Sequence, residues 1–390
     1  MSTNAPTLSP KLILLMAVAA GVAVANNYFV QPLLDTISQA FDVSHAVAGT
    51  LVTAAQLSYG LGLFLIVPMA DILERRRMIV VLMLLATVGL LVSAMARSVS
   101  WLLIGTAMTG GCSVVAQVFV PLAATLSAPE QRGKAVGTVM GGLLLGILLA
   151  RVVAGALSSL LSWQAVYWFA AVAMLICSIL LWRTLPNYRP QVSLNYGQAL
   201  RSVLSLFKTE PVLAQRAFLG ALSFAMFTLF WTPLAFLLAN PPYEYSDAVI
   251  GLFGIAGIAG VMAAKWAGKL ADRGKGNWGS WIGWLAGLVS WLLLFLADSS
   301  VVSLIIGIVL LDLAVQLAHV SNQNVIYALQ PEARNRLNAG YMTSYFAGGA
   351  LGSYVSVLLY QWHGWFAVCC GGVTLAVVAI AFMLLLSRRR

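Results

Sequence analysis

Charge is what this sequence has little of. Only 9% of its 390 residues are Asp, Glu, Lys or Arg, where a soluble domain carries about a quarter. At 61% apolar residues, water is excluded as the solvent for most of the chain. Disorder, a coiled coil and a secreted disulfide scaffold are excluded with it. Cysteine is scarce as well. Cys112, Cys177, Cys369 and Cys370 all fall in apolar runs, without metal-ligand spacing and with no external loop to staple, so they read as small apolar residues. The three histidines, His45, His319 and His363, are too scattered for a His-rich metal site. G-x-S-x-G, H-E-x-x-H and a phosphate loop are missing. Neither an enzyme nor a bound cofactor is therefore expected.

Long apolar runs are what the sequence does have. A membrane-crossing helix needs roughly 20 apolar residues, and twelve such runs can be read: 11–34, 46–70, 77–96, 100–126, 134–160, 163–183, 216–239, 247–269, 278–297, 301–328, 336–360 and 364–387. A β-barrel would show short alternating segments instead. An all-α membrane protein of twelve transmembrane helices is expected. Most connections are very short. The long one, 184–215, carries Leu200, Val203, Leu204 and Phe207 at helical spacing, which predicts a short interfacial helix.

The formal net charge of +10 has a topological explanation. With the N-terminus placed inside, 19 of the 22 Lys and Arg residues fall in inner loops or tails, Arg97 lies outside, and Arg151 and Lys265 fall within spans. Basic residues favour the cytoplasmic side, so both termini are expected in the cytoplasm, and no nucleic-acid partner is implied. The start of the chain, with Lys11, an apolar run and Ala23-Val24-Ala25, also resembles a signal peptide. Cleavage would delete the first helix, which the following repeat needs.

The chain matches itself at an offset of 201–202 residues. Pro32 pairs with Pro233, Ser44–Gly49 with Ser246–Gly251, Met69–Asp71 with Leu270–Asp272, Pro129–Arg132 with Pro331–Arg334, and Gly146 with Gly348. Two six-helix halves, 1–183 and 216–390, joined by the linker 184–215, follow from that register. Parallel repeats of this kind build one large transporter class.

These features resemble the major facilitator superfamily over the whole chain. The loop between helices two and three, Val67 to Arg77, is similar to the family signature G-x-L-A-D-R-x-G-R-K/R at Ala70, Asp71, Arg75 and Arg76, and departs from it at Val67, Met69, Ile72 and Glu74. A second copy starts at Gly268, Leu270, Ala271, Asp272 and Arg273. Gly142, Gly146, Ala150 and Arg151 in helix five resemble the family's antiporter motif without its proline. The arginine usual in helix four would fall near Thr106 and is missing. Ala25–Leu34 and Pro331–Ser353 look like a bacterial subgroup of proton-linked exporters. The resemblance implies two pseudo-symmetric halves, a central cavity lined by helices one, four, seven and ten, and a cytoplasmic gate at Asp71, Arg75, Arg76, Asp272 and Arg273.

Polar groups in hydrocarbon face a cavity or another helix. Helix ten carries Asp312, Gln316, His319 and Gln323 on one face, flanked by Asn322. Helix four carries Thr106, Thr109, Ser113 and Gln117 on one face, and helix one Asn27 and Gln31. Thr228 and Thr232 of helix seven occupy positions equivalent to Asn27 and Gln31. With Gln56 and Tyr59 of helix two and the aromatic residues Tyr28 and Trp231, these form the expected substrate cavity. Phe227, Phe230 and Tyr345 are near it. For any one of these polar residues, helix–helix adhesion is the competing reading.

Two charges lie deep. Asp312 sits about 18 Å and Arg151 about 15 Å from the outer ends of helices ten and five, at 1.5 Å per residue. The resemblance implies that helices five and ten approach each other across the two halves, so an acid and a base at equal depth could pair there and offset desolvation. Asp312 is expected to be the coupling carboxylate, Arg151 its counter-charge and His319 a relay, with Asp35 as the rival carrier. A permanent structural ion pair is the alternative.

With no ATP-binding domain, uphill transport must use an ion gradient. The expected function is proton-coupled efflux of a small organic molecule across a bacterial inner membrane, by a monomer. A symporter or uniporter for a sugar or other metabolite, and a membrane scaffold or receptor, remain alternatives.

Overall fold

The computed structural model describes residues 9–128, 131–189, 195–260, 262–263, 266, 276–330 and 333–388. Every element described there is helical. Helix one runs Pro10–Ala25 and resumes through Gln31–Leu33 and Leu34–Ala40. Helix two is His45–Leu65, continued by the tighter turn Val67–Asp71. Helix three is Arg75–Ala94, and helix four is Val99–Cys112 with Val115–Leu126. Helices five and six are Arg132–Leu160 and Trp163–Thr184. Helix seven is Pro211–Trp231 with Leu234–Ala239. Helix eight begins Asp247–Leu252 and Phe253–Gly257, helix nine is Gly276–Leu294 and helix ten is Val301–Tyr327. Helices eleven and twelve share Arg334–Arg388 and part at His363 and Gly364, whose backbone leaves the helical region.

Eight of the described stretches are long and apolar enough to cross a membrane, one of them holding both helices eleven and twelve. Helices one, eight and nine are apolar but shorter as described. Each of the twelve apolar runs read from the sequence thus carries helix among the described residues.

Local chemistry explains the ends and the breaks. Ser44, Ser98, Ser162 and Ser300 cap helices two, four, six and ten through their side-chain oxygens, satisfying backbone N–H groups that have no partner within the helix. Helices one and seven both break, beside Pro32 and Pro233. Proline has no N–H to give and crowds the preceding turn. The breaks are equivalent in the repeat, so the two copies share a backbone irregularity as well as residues.

Two close helix crossings are also equivalent. A side chain on Gly146 would collide with the carbonyl of Gly21 where helices one and five cross, and one on Gly348 with the carbonyl of Ala221 where helices seven and eleven cross. Small residues let helix backbones approach in lipid. The halves meet along helices two and eleven, where Gly60 faces Phe346, and along helices five and eight, where Gly251 faces the Arg151 backbone.

The linker carries a helix, Tyr196–Thr209, started by an Asn195–Gln198 capping box. Its buried face is Ala199, Val203 and Leu206, while Leu204 is exposed. Leu200 and Phe207 are half-buried, so of the expected apolar face only Leu204 turns outward. Arg216, placed by the sequence at the inner end of helix seven, lies within that helix and is buried, because the helix starts earlier, at Pro211.

Candidate functional site

A cavity of about 210 Å³ lies between the halves. Its walls come from helices one, two, four, five, seven, eight, ten and eleven, among them the four that the resemblance implied. Tyr28, Tyr59, Gln117, Asp312, Gln316, His319 and Gln323 line it, as the sequence reading proposed, and Arg151 closes its deep end. Phe224 stacks on Tyr345 at 4.3 Å, and Tyr59 lies 4.4 Å from Phe346. Phe224 and Phe346 were missed, since a Phe within an apolar run carries no signal of which way it faces. Leu143 and Ile147 of helix five were missed for the same reason.

Several expected cavity residues instead hold helices together. Thr228 donates to the Gly349 carbonyl at 2.7 Å and Thr232 to Ser353 at 3.1 Å, tying helix seven to helix eleven. Ser113 accepts from Asn26 at 3.1 Å. Asn322 accepts from Arg216 at 3.3 Å. Asn27 and Gln56 are buried away from the cavity. Threonine, serine and amide side chains serve as interhelical adhesion, and spacing on one helix could not separate that use from cavity lining.

Arg151 and Asp312 do not form a direct ion pair. Helices five and ten do not approach as expected, because helix eight runs between them, with Gly254 against Arg151 and Gly257 against Asp312. Trp231 completes the separation. Its ring face lies 3.9 Å from the Arg151 guanidinium carbon, and its indole N–H donates to Asp312 Oδ1 at 3.3 Å. The Arg151 Nε donates to Gln31 at 2.7 Å, and the Tyr28 and Phe227 rings flank the guanidinium at 5.0 and 5.6 Å. Gln31 and Trp231 thus position the charge instead of lining the cavity. Both charged residues are buried, Arg151 with 3% and Asp312 with 5% of its surface exposed. His319 meets the Tyr341 hydroxyl at 3.0 Å.

Toward the end of the bundle that carries the linker, the cavity has a neighbour. A second void of about 450 Å³ shares Gln117 and Met342 with it and reaches Asp71, Arg75 and Arg336. Asp71 is bonded to Arg75 of the next helix at 3.0 Å. Arg76 donates to the Leu185 carbonyl at 3.4 Å. Asp272 and Arg273, and Lys265, lie outside the described residues.

The opposite end is sealed between the halves. Asp247 of helix eight accepts from Thr36 at 2.8 Å and from Ser158 at 2.5 Å. Asp35 of helix one accepts from Asn240 of helix seven at 3.3 Å and from Gln39 at 2.7 Å, and His45 stands 3.3 Å from it. The His45 ring stacks on Phe236 at 4.1 Å. Between this seal and the cavity lies a void of about 10 Å³ beside Arg151 and Trp231. Asp35 therefore belongs to the seal. Asp247 was missed, although its place in the Ser246–Gly251 repeat marked the segment.

Two repeated six-helix halves around a central cavity also describe proteins similar to this chain. The sequence pattern of the Major Facilitator Superfamily matches residues 16–296. The chain belongs to that superfamily. It is 54% identical over 95% of its length to a protein of Escherichia coli O157:H7 named "Uncharacterized transporter YgaY", 94% of which is covered. It is 30% identical over 91% of its length to "Probable transporter SCO4007" of Streptomyces coelicolor, 83% of which is covered. Its fold matches a bacterial homolog to the human lysosomal transporter Spinster in an inward-facing and unoccupied conformation, with a TM-score of 0.77 at 16% identity over 96% of each chain. The chain is a multi-pass membrane transporter of the major facilitator type.

Proposed function

We propose that the chain is a proton-coupled secondary transporter of a small organic molecule in a bacterial inner membrane, working by alternating access as a monomer. The observation that carries this reading is the position of Asp312. It is a buried carboxylate in the wall of a cavity that lies between two repeated halves, next to a void at one end of the bundle. An acid deep in a membrane bundle marks a substrate or ion path. In this reading residues 1–183 and 216–390 rock about the cavity, 184–215 tethers them, and both termini face the cytoplasm, in keeping with the basic-residue bias. The void beside Asp71, Arg75 and Arg336 is then the cytoplasmic mouth, and the Asp35 and Asp247 clusters close the periplasmic side.

Export of a drug or metabolite is the direction the resemblance implies. Exchange of that kind requires substrate and proton to exclude each other at Asp312. Co-transport requires them to favour each other, and the open hydrogen-bonding capacity of Arg151 favours this second reading. Flux in proteoliposomes under an imposed pH gradient tests the proposal. Transport that follows the gradient supports it, and transport indifferent to the gradient removes the coupling.

A further inference from the structure

Arg151 has more hydrogen-bonding capacity than its surroundings use. Its only hydrogen bond among the described residues runs from Nε to Gln31. Nη2 is buried without an acceptor, and Nη1 makes no hydrogen bond among the described residues. The Trp231, Tyr28 and Phe227 rings take the cation on their faces, which leaves the N–H groups in the guanidinium plane unanswered. Buried donors without acceptors are costly, and a guanidinium binds carboxylates through two parallel N–H groups. Asp312 does not fill that role, because Trp231 and helix eight keep it apart.

We propose that the deep end of the cavity is an anion site, where Arg151 takes the carboxylate of an amphipathic organic acid whose apolar body lies among the Tyr28, Phe227 and Tyr345 rings. The proposal rests on the cavity being the transport site. A monoanion fits better than a phosphate dianion, because Arg151 is the only Lys or Arg among the described lining residues. An aromatic or branched acid fits the mainly apolar walls.

The same geometry fixes the sign of proton coupling. The groups facing Asp312 are Arg151 from helix five, Tyr28 from helix one, Tyr345 from helix eleven and His319 on its own helix. Helix seven adds Trp231 and helix eight only Gly257 and Gly260. A charged Asp312 attracts Arg151 and repels an incoming carboxylate. A protonated Asp312 does neither. Proton and anion therefore assist each other's binding, and by linkage the help is mutual. They cross together, one proton with one monoanion, without net charge.

Calorimetric binding to the full chain in lipid nanodiscs tests this. The probes are benzoate and 3-methylbutanoate, each against its amide, with benzamidine as the cationic counterpart. Two pH values are used, both above the acids' own pKa. The carboxylates should bind roughly tenfold or more tighter than their amides, and tighter at the lower pH. Arg151→Lys should weaken that preference, since an ammonium cannot form the fork, and Arg151→Gln should erase it. Asp312→Asn should remove the pH dependence. Equal binding of acids and amides, tighter binding of benzamidine, or a preference that survives Arg151→Gln would overturn the proposal. The comparison of ligands on the unaltered chain stands even if a variant does not fold. Flux is read separately. Carboxylate-selective binding without flux supports the anion site and refutes the transport reading. Gradient-driven flux of acids and amides alike refutes the anion site and keeps the transport reading.

Discussion

Trp231 lies flat against Arg151, ring centroid to guanidinium carbon 3.9 Å, while its indole N–H reaches Asp312. One side chain thus touches both buried charges and keeps them apart. A desolvated cation–π contact is worth about 2 kcal/mol. Trp231→Leu removes it together with the N–H, and should lower the thermal midpoint of the purified chain. Trp231→Phe keeps a ring and should lose less. Equal loss in both would assign the effect to the hydrogen bond alone.

Asp247 is expected to latch the sealed end. Its carboxylate takes hydroxyl donors from Thr36 and Ser158 of the other half, and hydrogen bonds to a charged group contribute about 1.5–3 kcal/mol each. Asp247→Ala should shift the population toward opening at that end. Maleimide labelling of Ala235→Cys, a position buried beside the small void, should then speed up severalfold over the native-cysteine background. Unchanged labelling would mean that the seal is held elsewhere.

The two repeat-related crossings should tolerate little added volume. Gly348→Val places a branched side chain on the Ala221 carbonyl, and overpacking typically costs about 1–3 kcal/mol. Gly137, whose side-chain direction is open, should accept alanine without loss. Size-exclusion profiles of the detergent-solubilised variants separate the two outcomes.

Asp71→Asn breaks a bond to Arg75 that is partly exposed, so stability should change by less than about 1 kcal/mol. If the pair gates the mouth, the transport rate should fall while membrane insertion stays normal. An unchanged rate would leave the pair a feature of the loop only.

Much of the fold was legible because membrane solvation writes it in long apolar runs, and because the 201–202-residue offset ties the two halves together. Pro32 and Pro233 even marked the equivalent breaks. The site was legible only in part. Helix periodicity shows which residues share a face, as with Asp312, Gln316, His319 and Gln323, but not what the face meets. Thr228 and Thr232 looked like cavity residues and bond helix eleven instead. Depth matched Arg151 to Asp312 but was blind to the angle around the bundle, which helix eight and Trp231 occupy. Gly254 and Gly257 carried that information in their three-residue spacing, readable only once the partner helices were known.

The central claim is that Asp312 couples a proton to transport. Asp312→Asn keeps the shape and removes the titrating group. The account predicts that flux driven by an imposed pH gradient is abolished in proteoliposomes, while exchange of labelled for unlabelled substrate across the same membrane persists. Gradient-driven flux at the unaltered rate in Asp312→Asn would contradict it.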